Sequence, residues 1–144
     1  MWNKRVTEAM RERSLAETVK AASTLSAREL AYKAANIAES KKAISTLVLD
    51  VVKVTPLADF FVITGGDSVT QVRAIVDAID ETLSKYGWQP RSIEGKLEGR
   101  WVLMDYEVII VHVFHQKERD YYKLEQFWNH ANPVERLDWY DDNT

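Results

Sequence analysis

The chain has no cysteine. That excludes a disulfide framework, a thiolate nucleophile and a Cys-ligated zinc, and it suits a reducing compartment. It has five glycines and three prolines in 144 residues, too few for a linker-divided or low-complexity chain. Excess charge is lacking too. The net charge of −3 gives no support for a basic face that would grip nucleic acid. No apolar run is long enough to cross a bilayer. Residues 1–25 carry Lys4, Arg5, Arg11, Arg13 and Lys20 but are interrupted by Glu8, Glu12 and Glu17, and no secretory apolar core is present. They read as an N-terminal extension with only a faint organelle-targeting character, so a cytoplasmic location is expected.

What the chain does have is patterned apolar sequence enough for one core. Ser26-Ala27-Arg28-Glu29 has capping-box spacing, and Leu30, Ala34, Ile37 and Ala38 follow at helical spacing. This predicts a helix over 26–42. Residues 46–54 alternate as a strand, with Leu47, Leu49 and Val51 on one face and Val48, Asp50 and Val52 on the other. Residues 60–63 are apolar throughout, as in a strand covered on both faces. Thr64-Gly65-Gly66-Asp67 reads as a turn. Ser68 and Gln71 then cap a helix running to about Tyr86, with a stripe of Val69, Val72, Ile75, Val76, Ile79 and Leu83. Gly87 is placed to end it in a left-handed conformation.

Residues 91–94 read as a short strand and 95–99 as a mobile connection. Residues 101–104 and 108–114 read as strands joined tightly through Asp105, Tyr106 and Glu107. A helix is predicted over 119–129, with Tyr121, Leu124, Phe127 and Trp128 inward. Asn132-Pro133 ends the ordered pattern. The expected organisation is an extension (1–25), one domain (26–130) and an acidic tail (131–144). The order α-β-β-α-β-β-β-α implies an α/β fold, a mixed five-stranded sheet packed by helices.

Two chemistries can be weighed. Gly65-Gly66-Asp67-Ser68 opens a helix, where free N–H groups would favour a phosphate. Asp105 and Glu107 have the spacing of a metal-binding strand pair. Together they sketch a metal-dependent nucleotidyltransferase. Asp67, however, puts a negative charge on the phosphate site, the Asp105–Glu107 pair falls in a hairpin turn, and no basic cluster adjoins either motif. His112 and His115 are three apart on a strand and diverge, and His130 lies beyond the last helix, so no shared metal site is expected. No G-x-S-x-G elbow is present. Trp101, at the first position of its strand, reads either as core or as an exposed anchor for a protein partner.

One ordered set of motifs runs from residue 49 to residue 128. It comprises Asp50-Val51, Ala58-Asp59-Phe60-Phe61-Val62-Ile63-Thr64-Gly65, Ser68-x-x-Gln71-Val72, Gly87-Trp88-Gln89-Pro90 and Glu94-Gly95. It continues with Trp101-Val102-Leu103-Met104-Asp105-Tyr106, Val111-His112-Val113-Phe114 and Arg119-x-x-Tyr122-x-Leu124-Glu125-x-x-Trp128. This set resembles the Iojap-related ribosome silencing factors. The resemblance implies a nucleotidyltransferase-like fold without catalytic residues, no enzymatic activity and no cofactor or metal. It implies a translational repressor that binds protein uL-fourteen of the large ribosomal subunit, blocks joining with the small subunit and lowers translation under nutrient limitation. It further implies a homodimer in the free state, with no nucleic-acid or membrane partner. The partner-facing residues it implies are Trp101 and Tyr106, with Asp105 and Glu94 as acidic contacts. Where the family has a glycine and an acidic residue after its D-Y or D-L pair, this chain has Glu107-Val108, a turn one residue shorter and without the glycine.

Overall fold

The computed structural model describes residues 25–118 and 130–142. The extension before residue 25 and the helix expected over 119–129 lie outside the described residues.

Helix α1, Ala27–Ser40, starts where the capping box places it. The Ser26 hydroxyl accepts from the Glu29 N–H at 3.1 Å, and the Glu29 carboxylate accepts from the Ser26 N–H at 3.2 Å. Its buried face is Leu30, Ala31, Ala34, Ala35 and Ala38, small side chains that let the helix lie close to the sheet. Helix α2, Val69–Ser84, buries Val72, Ile75, Val76, Ile79 and Leu83. Each such branched side chain contributes about 1.5–3 kcal/mol when withdrawn from water. Gly87 then adopts φ +84°, and the turned chain lets the Trp88 N–H reach the Leu83 carbonyl at 3.1 Å.

The strands are β1 (Ile44–Asp50), β2 (Phe60–Gly66), β3 (Ser92–Glu94), β4 (Trp101–Asp105), β5 (Ile109–His115) and β6 (Asn132–Pro133). Their order in the sheet is β3-β4-β5-β2-β1-β6, with β2 and β5 parallel and every other pair antiparallel. The period-two alternation divides the apolar side chains between two cores. Val48, Phe60, Val62, Val102, Met104 and Val111 pack with α1 and α2 on one face. Leu47, Leu49, Val51, Phe61, Ile63, Ile110 and Phe114 pack on the other. A strand buried on both faces needs no polar side, which is why β2 is apolar without interruption.

The mixed α/β sheet packed by helices is as expected, but it has six strands rather than five. Asn132 and Pro133 pair with Asp50 and Leu49, and the Val134 N–H bonds the Val48 carbonyl at 2.8 Å. Proline is tolerated there because an edge strand turns alternate N–H positions outward. The order therefore does not end at residue 132. Arg136–Trp139 forms a single helical turn, α3, and Trp139 is 3% exposed within the helix-side core. Asn36 of α1 holds this segment. Its amide nitrogen donates to the Trp139 carbonyl at 2.7 Å, and its amide oxygen accepts from the Asp141 N–H at 2.7 Å. Arg136 adds an ion pair with Glu39. The expected acidic tail is, through residue 142, a docked part of the body.

Trp139→Ala should therefore lower stability by about 3–5 kcal/mol, the cost of emptying a buried aromatic site. Urea unfolding checks it; a loss well under 1 kcal/mol would mean the segment contributes no core.

Candidate functional site

The two halves of the nucleotidyltransferase sketch come apart in the structure. Gly65 and Gly66 do not form a turn: they are the last residues of β2, paired with Phe114 and His115. The turn forms after them because the glycines still have ladder partners. At the start of α2, the Ser68 hydroxyl accepts from the Gln71 N–H at 3.0 Å. The Gln71 side chain folds over the helix entrance. Its oxygen accepts from the Asp67 N–H at 2.7 Å, and its nitrogen donates to the Lys42 carbonyl at 2.9 Å. A Cβ on Gly66 would meet Gln71 at 3.2 Å. The place where a phosphate would sit holds an amide side chain instead.

Asp105 ends β4 and is 3% exposed. One carboxylate oxygen takes the Arg91 guanidinium at 2.6 Å, and the other accepts from the Glu107 N–H at 2.8 Å. Arg91 also donates its backbone N–H to the Asp105 carbonyl at 2.7 Å. Both carboxylate oxygens thus serve to close the β3–β4 end of the sheet. Among the described residues, no group of three or more His, Cys, Asp or Glu could hold a metal.

The shortened turn has a distinct geometry. Glu107 adopts φ +70°, and the Val108 N–H bonds the Tyr106 carbonyl at 2.8 Å across it. This is a tight γ-type turn, in which a non-glycine residue takes on the strain. The turn aims Tyr106 inward. Tyr106 is 1% exposed and packs in the core beneath the helices. Among the described residues its hydroxyl has no hydrogen-bond partner, and burial first, then the nearby Asp80 charge, raises its pKa. Tyr106 and Asp105, expected to face a partner, are both buried in this chain.

Trp101 and Glu94 do. Glu94 is exposed at the end of β3, and Trp101 is half-buried at the start of β4. β3 pairs only with Leu103, Met104 and Asp105, so Trp101 lies past its end. The connection between them is anchored rather than mobile. Arg73 of α2 donates to the Lys96 and Leu97 carbonyls, and Lys96 pairs with Asp77. Gly95, at φ +83°, is required there, since a Cβ would stand 2.2 Å from the Trp101 carbonyl oxygen. The indole stacks on Phe114 with centroids 5.1 Å apart, and its N–H donates to His112 Nδ1 at 3.1 Å. Trp101 is thus neither plain core nor plainly exposed: one face is packed and the ring is pinned.

His112, which spacing could only set apart from a metal site with His115, is the hydrogen-bond partner of the Trp101 indole. Antiparallel register sets Trp101 opposite Phe114, which places His112 diagonally across from it on the same face. Phe61 meets the imidazole edge-on at 5.1 Å. Burial pushes its pKa down from 6.5 to about 3, so the ring is neutral. Because Nδ1 accepts, the proton is on Nε2, which finds no partner among the described residues. An orphaned buried donor costs about 1–3 kcal/mol.

With this geometry in view, comparison with known proteins is decisive. Residues 24–143 match the family model described as ribosomal silencing factor during starvation. The chain belongs to the ribosomal silencing factor family. A ribosomal silencing factor from Bacillus subtilis is 42% identical over 106 residues, covering 74% of this chain and 89% of that protein. One from Halalkalibacterium halodurans is 39% identical over 111 residues, covering 77% and 95%. The chloroplastic protein Iojap of Zea mays is 30% identical over 118 residues, covering 82% of this chain and 51% of Iojap. A crystal structure of a protein from Chromobacterium violaceum superposes with a TM-score of 0.71 at 31% identity, covering 73% of this chain and 88% of that one. The silencing-factor family thus accounts for the fold, and the described helices include none long and apolar enough to cross a membrane.

Two outcomes test the site geometry. Tyr106→Phe should leave stability within about 1 kcal/mol or raise it, because it removes an unpaired buried hydroxyl; a large loss in thermal unfolding would show that the hydroxyl has a partner. For His112, the unfolded chain binds a proton below pH 6.5 that the folded chain refuses until about 3. Stability from this group is therefore intact above pH 6.5 and lost as pH falls, by about 1.4 kcal/mol per pH unit. His112→Phe should remove that loss, so urea midpoints of the variant and the parent should diverge between about pH 7 and about pH 5. Parallel profiles would show that His112 titrates normally.

Proposed function

We propose that this chain is a translational repressor that acts by occupancy, without chemistry of its own. It binds the large ribosomal subunit at protein uL-fourteen, covers the face that the small subunit needs, and lowers translation when nutrients are short. The observation that carries this reading is the family match over residues 24–143, whose relatives are named silencing factors rather than after a reaction. The contact surface we propose centres on Trp101, with Glu94 beside it as an acidic contact to a basic ribosomal protein. Asp105 and Tyr106 lie buried at the opposite end of β4, where Asp105 holds Arg91 and the following turn. A half-packed indole at a strand start suits an interface anchor, since tryptophan dominates binding hot spots. Acidic balance favours a protein-directed contact over an RNA-directed one.

In the free state the chain is proposed to be a homodimer, and its site of action is the cytoplasm, where bacterial ribosomal subunits join. An enzyme built on Asp105 and Glu107 would need both carboxylates available to a metal, and Arg91 already takes that of Asp105.

Sucrose-gradient sedimentation of purified subunits tests the proposal. Added protein should shift joined ribosomes to separate subunits; undiminished joined ribosomes at saturating protein would refute it. Trp101→Ala should weaken large-subunit binding by about tenfold or more while the chain stays folded. Full affinity in a folded Trp101→Ala chain would move the contact elsewhere.

A further inference from the structure

His112 is buried among Phe61, Phe114 and Trp101, where an apolar ring of similar size would serve packing better. Its Nε2 is buried with no partner among the described residues. The one thing an imidazole does here that a phenyl ring cannot is accept the Trp101 indole N–H. Trp101 itself does not need that acceptor to fold. It is half-buried, and an indole N–H turned outward would find water. Stacking on Phe114, with rings 21° apart, sets the plane of the indole. The hydrogen bond adds a fixed edge to that plane, turning the N–H edge of the indole towards His112.

We infer that His112 is a positioning residue for partner binding: through its Nδ1 it holds the Trp101 indole in one orientation, so that the anchor meets a protein partner already ordered. The inference rests on the proposed role of Trp101 at the ribosome contact. The platform beneath His112 is rigid. It lies in the middle of β5, between a parallel β2 and an antiparallel β4, opposite Ile63 and Leu103. The His115 N–H bond to the Arg100 carbonyl at 2.8 Å keeps the start of β4 against β5 next to it. A neutral imidazole is required, and burial supplies it. Ordering an anchor before contact spares the entropy of freezing it during binding, an advantage of about two- to tenfold in affinity for one side chain.

The test uses the full chain and two variants. His112→Phe keeps a ring of similar size but has no acceptor. His112→Asn places an amide oxygen near the position of Nδ1. The indole N–H resonance of Trp101, assigned with Trp101→Phe, reports the hydrogen bond directly. Binding to purified large subunits reports the consequence. The expected result is a shifted, broadened Trp101 indole resonance and about two- to tenfold weaker binding for His112→Phe, with both restored by His112→Asn. In a Trp101→Ala background, His112→Phe should cause no further loss. An indole resonance unchanged in His112→Phe overturns the positioning role whatever the partner is. Weakening of equal size in the Trp101→Ala background also overturns it, since the effect would then be structural. If the parent chain fails to bind large subunits, the proposed function falls and takes the binding half of this inference with it, while the resonance still decides whether His112 orients the ring.

Discussion

The structure depends on the parallel ladder between β2 and β5. Seven residues of each strand pair in register, from Phe60 with Ile109 to Gly66 with His115. Both strands are buried on both faces, so this ladder decides which side chains enter which core. A slip of one residue would exchange the two faces, sending Phe61 and Ile63 under the helices and Phe60 and Val62 to the far side. Every feature discussed above inherits its position from this register. β4 hangs on β5, so Trp101 reaches Phe114 and His112. β1 hangs on β2, so its outer edge can receive Asn132 and Pro133. Even the glycines at the end of β2 are strand residues because β5 continues alongside them.

What was legible in the residues follows from this ladder. A period of two is local, so the division of Val48 from Leu47 and Leu49 could be read without knowing any partner strand. Capping is local too: Ser26 with Glu29 and Ser68 with Gln71 sit within one helical turn. The illegible features are contacts between distant segments. Nothing near Asp105 marks Arg91 as its partner, because the two meet only when β3 pairs with β4. Nothing near Trp139 marks it as core, because Asn36 stands more than a hundred residues away in the chain. Pro133 misled for a different reason. Proline is a reliable stop in a helix or a central strand, but its missing N–H costs nothing on the outward side of an edge. Tyr106 needed the turn conformation: with Glu107 at φ +70°, the preceding side chain is directed inward.

Both places where the residues sketch phosphate chemistry are taken up by contacts that hold the backbone. Gln71 caps the entrance of α2 with its own amide, so the helix N-terminus is satisfied by protein. Asp105 spends its carboxylate on Arg91 and on the turn that follows. Each group is engaged in holding the backbone, and neither is left for a ligand. Such use stabilises the sheet end where an active site would instead need open coordination and access. The charge of Asp105 is compensated by one ion pair, so it draws no further cation.

Three polar groups tell apart stability from function in this core. Asn36 makes all the bonds its burial demands, and its cost is recovered within the fold. Tyr106 leaves a hydroxyl unpaired, and the ring's packing carries it. His112 is different from both. It leaves one nitrogen unpaired and uses the other on a side chain that sits half in solvent. A fold selected for stability alone would place an apolar ring there, since nothing in the core needs the imidazole. The residue that gains is Trp101, which gains orientation rather than burial. Orientation of a surface ring has no value to a chain that acts alone; it matters when a second surface must meet that ring. The required glycine at Gly95 and the anchored loop at Lys96 both bear on this same end of the sheet. Conformational restriction therefore surrounds Trp101, as the proposed preformed contact requires.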